Sequence, residues 1–249
     1  MRGLLLPIAV VVAAEIAART IGIKLDNLAA PSAILVAGFD ILLDGSLLYS
    51  TAQTLWAALA GLAIGGGLGL MLGILIGLSA PLARLLQVTI EALRPIPSIA
   101  LLPIALLIFG FGFGLEISLV AFSTFWPVVI ITQAAIAGIE PMLMEVSRAL
   151  GLGTLSRIVK IMIPAMLPRI FVAFRLAAGI ALIVAVTAEI VNNPIGLGTD
   201  LNNAQQVMRP ATMFAVLIWV GIVGWALNAA LLFAQRRLFG RAATLEVPP

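Results

Sequence analysis

The sequence predicts an all-α protein that crosses a membrane about six times. Three observations carry that prediction. Of its 249 residues, 62% are apolar and only 10% are charged, where a soluble domain has about 45–50% and about 25%. The few charges are spaced so that long apolar runs lie between them. No stretch alternates polar and apolar residues at every second position, which excludes a closed barrel.

The elements follow in chain order. About 20 apolar residues span the ~30 Å hydrocarbon layer. Gly3–Ile23 is apolar apart from Glu15 and Arg19 and reads as a first helix. Arg2, the apolar core to Ala14 and the small residues Ala13, Ala14, Ala17 and Ala18 leave a cleaved signal peptide as the alternative. Residues 24–50 form an outer segment, with Pro31 before an amphipathic stretch from Ser32 to Leu48. The charge-free run Gly45–Ala83, 39 residues long, holds the second crossing, and residues 80–94 make a short inner connection. Pro95–Leu115 holds the third crossing and Ile117–Ile139 the fourth, with a tight outer turn at Gly110–Gly114. Residues 140–169 are the longest inner loop. Ile170–Ile190, interrupted by Arg175 and Glu189, is the fifth crossing. An outer loop, 191–209, leads to the sixth, Pro210–Gln235.

Charge sets the expected orientation. With both termini inside, 11 of the 14 basic residues fall on the inner side, leaving Arg19, Lys24 and Arg209 outside; the opposite arrangement violates the positive-inside rule. The net charge of +3 is therefore read as topology, not as a nucleic-acid footprint. The chain has no Cys and no His, so it lacks a thiolate, an imidazole base and the usual zinc or haem ligands. Its two lysines, Lys24 and Lys160, are not preceded by Gly, so there is no P-loop for ATP. Chemistry is not expected of this chain, and neither a catalytic residue, a cofactor nor a metal is assigned to it.

Several motifs have two readings. Gly61, Gly65, Gly69, Gly73 and Gly77 recur every four residues along one helix face. They let a neighbouring backbone approach closely, either as ordinary helix packing or as a sliding contact beside a translocation path. Pro95, Pro97 and Pro103 open and kink the third helix. In the inner loop, Pro141–Leu150 reads as a short helix stopped by Gly151. A second, Thr154–Met162, is expected to end at Pro164, with Pro168 before the next crossing. Ala149, Leu150 and Leu152 sit at the turn, where they dock a partner or fold back on their own bundle. Glu189, beside Asn192 and Asn193, shapes an outer gate or lies at headgroup level. Arg175, about one turn inside the inner end of its helix, snorkels or lines an inner exit for an anion.

Glu145-Val146-Ser147, then Gly151, then Ile161-Met162-Ile163-Pro164 resembles the EAA loop of ABC importer permeases, EAA-x3-G-x9-I-x-L-P, with matching spacing. Val146 and Ser147 replace the two alanines, and Ile163 the leucine. Pro31-Ser32, Arg94-Pro95-Ile96-Pro97, Ala188-Glu189-Ile190, Gly196-Leu197-Gly198 and Arg236-Arg237-Leu238 extend the resemblance to the nitrate, sulfonate, taurine and bicarbonate branch, over residues 28 to 239.

The resemblance implies a type I, MetI-like importer permease in the inner (cytoplasmic) membrane: a single domain over 1–249, with an N-terminal helix at 1–23. An outer segment at 24–50 would precede a core permease at 51–239, with a coupling loop at 140–168 and a cytoplasmic tail at 240–249. It implies a homodimer with two cytoplasmic ATPase subunits that bind ATP and magnesium, and a periplasmic or lipid-anchored binding protein delivering a small anionic solute. Glu145, Arg148, Ala149, Leu150, Gly151, Ile161 and Pro164 would couple to the ATPase; Arg175, Glu189 and Asn192 are candidates for the path or gate. The alternatives are a stand-alone secondary transporter or channel, which would need midplane carboxylates or broken helices, and an intramembrane enzyme, which these residues do not equip.

Overall fold

A computed structural model describes residues 5–20 and 28–239, except for a few side chains, Arg148 and Asn192 among them. The described residues form helices α1 (Leu5–Thr20), α2 (Pro31–Leu43), α3 (Ser46–Leu78), α4 (Ala80–Leu93), α5 (Leu102–Phe109), α6 (Phe113–Ala137), α7 (Pro141–Ala149), α8 (Thr154–Arg157), α9 (Ile163–Asn192), α10 (Leu197–Gln206) and α11 (Pro210–Phe239). A 3₁₀ turn, Ser98–Leu101, precedes α5, and a π-helical turn, Ile158–Met162, joins α8 to α9.

Of the six crossings expected, the first, Gly3–Ile23, lies partly outside the described residues. Among the described residues four helices are long and apolar enough to span, Ser46–Leu78, Phe113–Ala137, Ile158–Val191 and Pro210–Leu238, and a fifth span is at most a broken pair bent by 81°. That pair is α4 with the Ser98–Phe109 segment, so the stretch 80–94 holds a helix of 14 residues, Ala80–Leu93, and is not a bare connection. The break has a local cause: Pro95 and Pro97 remove the two backbone donors that would have carried the helix on past Arg94. The described part of the first predicted crossing, α1, has 16 residues, about 24 Å at 1.5 Å per residue. The outer stretch Ser32–Leu48 is broken at Gly45, whose φ is 78°, and the outer loop 191–209 contains a helix, α10.

Cα packing divides the chain into two units. The first combines residues up to Trp56 with Val186–Gly224. Here Glu15 of α1 accepts hydrogen bonds from the backbone N–H (3.0 Å) and hydroxyl (2.8 Å) of Ser32, capping the start of α2. Asp44 does the same for Ser46 at the start of α3, and these bonds hold its carboxyl below the ordinary range. Trp219 of α11 donates to Thr51 of α3 at 2.8 Å.

The second unit combines Ala57–Ala185 with the chain from Trp225 onward. Its α3 and α6 pack along the glycine stripe. A Cβ added at Gly61, Gly65, Gly69, Gly73 or Gly77 would lie 2.1–2.7 Å from Val120, Ala121, Phe125, Thr132 and Ile136 in turn, all on α6. Gly66, one residue off the stripe, receives Phe174 of α9 in the same way. The stripe is thus a close helix–helix seam, with dispersion and close backbone contacts as its glue.

Candidate functional site

The 140–168 loop belongs to the second unit, and its local geometry follows from three residue choices. The first is Gly151. α7 ends at Ala149, Gly151 takes φ 64°, and the Leu152 N–H returns to the Ser147 carbonyl at 3.1 Å. This is a Schellman stop, for which a left-handed residue is required and glycine is the unstrained choice. The turn presents Ala149, Leu150 and Gly151 to the outside, with Leu150 68% exposed. Glu145 and Val146 are also exposed, whereas Ser147 is fully buried.

The second choice is Pro164. The expected end of the helix at this residue is corrected: the chain continues through Pro164 and Pro168 as one 34-residue span, Ile158–Val191. In an α-helix the Pro164 ring would strike the carbonyl of Lys160, and its missing N–H would leave that carbonyl unpaired. The π turn immediately before it, in which the Ile163 N–H bonds to the Ile158 carbonyl, relieves both by widening the helix locally. Pro164 itself is exposed and Ile161 half-buried.

The third choice is apolar. Ala135 and Ile136 of α6, Met162, and Met166 and Ile170 of α9 form a buried cluster joined by Leu70, Ile74, Ile139, Ile158 and Phe174. Arg169 donates to the Gly138 carbonyl at 3.1 Å, closing the C-terminal end of α6 with a cation. The loop therefore has a packed base and an exposed tip. Arg148 is on α7, but its side chain lies outside the described ones.

In the first unit Glu189 is 1% exposed, buried rather than solvated. It accepts the Gly198 N–H at 2.7 Å. The neighbouring N–H groups are met from α3: Gly196 by Gln53 at 3.2 Å and Leu197 by Thr54 at 3.0 Å. The start of α10 is thus capped by three side chains from two other helices. Gly196 and Gly198 are required by contact as well, since a Cβ on either would fall within 2.0–2.6 Å of Glu189 or the Val186 carbonyl. Asp200, on the same helix, has its carboxyl raised by burial, an effect opposed by a Ser50 hydrogen bond and reinforced by Asp44. Gln53 and Thr54 are 143 residues from their partners, and no local pattern announces them. The Asn192 side chain lies outside the described ones.

Arg175 lies near the middle of the 34-residue helix, not one turn from its end. That helix, about 51 Å long, exceeds the hydrocarbon layer. Arg175 donates to Gln235 at 3.4 Å, just before Arg236 and Arg237. Arg175 belongs to the second unit and Glu189 to the first. Among the described residues no group of His, Cys, Asp and Glu could hold a metal.

Comparison with known proteins gives a consistent result. Residues 65–243 match the family described as binding-protein-dependent transport system inner membrane component. A putative aliphatic sulfonates transport permease, SsuC of Bacillus subtilis, is 32% identical over 96% of this chain and 86% of its own length. The nitrate import permease NrtB of Leptolyngbya laminosa and the bicarbonate transport system permease CmpB of Synechococcus elongatus are each 30% identical, over 78% of this chain and 70% of theirs. Among solved structures, that of an amino acid ABC transporter has TM-score 0.67 at 20% identity, covering 80% of this chain and 98% of its own. An inward-facing MetNI methionine transporter has TM-score 0.64 at 19%, covering 77% and 97%. These two share the fold.

Proposed function

This chain belongs to the family of binding-protein-dependent transport system inner membrane components, and from that premise we infer that it works by docking its 140–168 loop on a cytoplasmic ATPase. It is the membrane permease subunit of an ABC importer, a transport subunit and not an enzyme. The coupling role of the loop rests on one observation: an exposed apolar tip at Ala149–Leu150–Gly151 stands on a base packed into α6 and α9.

An element that transmits force must be rigid between the place where force enters and the place where it acts. Here the tip is held by the Schellman turn, and the base by the apolar cluster and the Arg169–Gly138 bond. Closure of two ATPases around ATP and magnesium would draw two such tips together. The continuous helix from Ile158 would carry that displacement as a lever into the membrane. The partners are a second copy of this chain, two ATPase subunits and a binding protein on the far side. The positive-inside count puts the loop and both termini in the cytoplasm and the capped start of α10, with Glu189, at the outer face. The relatives named for sulfonates, nitrate and bicarbonate support a small anion as solute.

The test is affinity purification of the tagged chain from its native membrane in mild detergent. The parent is expected to bring down a P-loop ATPase at about one to one. Gly151→Asp and Glu145→Lys are expected to lose it while still inserting in the membrane. Recovery of the parent chain alone, folded, would overturn the coupling role and favour a stand-alone transporter.

A further inference from the structure

α4 is an amphipathic helix with no buried residue, and the way it is turned is informative. Arg84, Gln87, Glu91 and Arg94 recur every three or four residues and share one face. That face lines a cavity of about 620 Å³ whose opposite wall includes Ile130 and Gln133 of α6. Leu85, 74% exposed, lies away from that face and does not line the cavity. In water the arrangement would be the reverse of what burial favours. In a bilayer it is the stable one, because the apolar side meets lipid while charged side chains turn to a water-filled space. The break at Pro95 and Pro97 is what lets α4 line this space without continuing straight into α5.

The charge in the cavity is unbalanced. Glu91 accepts a hydrogen bond from Gln87 at 3.0 Å. Arg84 donates Nε–H to the Ala80 carbonyl at 3.4 Å and lines the cavity. Among the described residues no carboxylate forms an ion pair with Arg84 or Arg94. Two guanidinium groups against one carboxylate leave a net positive wall, with amide donors from Gln87 and Gln133 beside it. Guanidinium forks suit planar or tripodal oxyanions such as nitrate, bicarbonate or a sulfonate.

We propose that the α4–α6 cavity is a water-filled, anion-selective section of the translocation path, with Arg84 and Arg94 as its anion contacts. The proposal rests on the importer reading for its biological meaning, but the cavity's polarity can be tested alone. The chain has no cysteine, so a single Gln133→Cys thiol reports the cavity in otherwise unmodified protein. In native membrane vesicles its rate of modification is compared for two methanethiosulfonates, one carrying a sulfonate and one a trimethylammonium. In each case the thiolate forms a mixed disulfide and methanesulfinate leaves. Each rate is divided by that reagent's rate on a free thiol.

The sulfonate reagent is expected to be favoured. Because the reagents differ by two unit charges, a cavity potential of about one kT per charge makes that preference roughly tenfold; it should vanish in the Arg84→Gln/Arg94→Gln background and persist with Lys at both positions. Leu85→Cys, on the apolar side of α4, should react slowly with both reagents. An unreactive Gln133→Cys, or one whose preference ignores Arg84 and Arg94, overturns the proposal. Co-purification of the ATPase from the same vesicles separates that outcome from failure of the importer reading.

Discussion

Adding one methyl group to the glycine seam is the sharpest test of the fold. In Gly65→Ala the new Cβ would lie 2.1 Å from the Ala121 carbonyl oxygen and 2.5 Å from the Thr124 hydroxyl. Both are far inside van der Waals contact, and the first is backbone, so α3 and α6 must separate by about 1 Å. Overpacking of this kind costs about 1–3 kcal/mol. Two residues away, a Cβ on Gly67 meets nothing within 4 Å. Both substitutions gain the same ~1 kcal/mol of helix propensity, so the difference between them isolates the packing cost. Unfolding in mixed micelles by SDS titration, followed by tryptophan fluorescence, suits the case because Trp126 of α6 is buried between Phe122 and Phe125. Gly67→Ala should be neutral or slightly stabilising, and Gly65→Ala less stable than it by about 1–3 kcal/mol. Equal stabilities for the two variants would refute the seam.

Two further outcomes are expected in the same assay. Thr54→Val keeps the shape but removes the acceptor of the buried Leu197 N–H, a loss of about 1–3 kcal/mol that Thr54→Ser should largely avoid; a Val variant as stable as the parent would mean that α10 is not held there. Asp200→Asn tests the raised carboxyl. Because the native state holds this proton more tightly than the unfolded chain, Asp200's contribution falls as pH rises from its ordinary value of 3.8 through the raised one. The Asn variant should therefore gain on the parent at neutral pH and lose that gain below about pH 4, and a pH-independent difference would contradict it.

What the sequence determined by itself was whatever depends on neighbours along the chain. Apolar runs between charges give helices in a bilayer because an unpaired backbone group in hydrocarbon is too costly. The five-glycine repeat announced a close-packed face, and Gly151 announced a left-handed stop, because each property belongs to a single helix or a single residue. The same local reasoning failed at the prolines. Pro164 looked like a helix end, yet a π turn five residues long lets the helix continue; Pro95 and Pro97 looked like the opening of a span, yet they bend a longer pair by 81°. Whether proline terminates, bends or is absorbed depends on what the adjoining turns can pack against, and for Pro164 that is the Met162–Met166–Ile170 cluster.

Only the tertiary structure decided which face of the glycine repeat meets α6. It also decided that Gln53 and Thr54 satisfy the start of a helix more than 140 residues away, and that the polar face of α4 turns to a cavity. The physical reason is common to all three. A buried donor must find an acceptor, and a charge must find water, wherever the fold brings one within reach; sequence distance does not enter that condition.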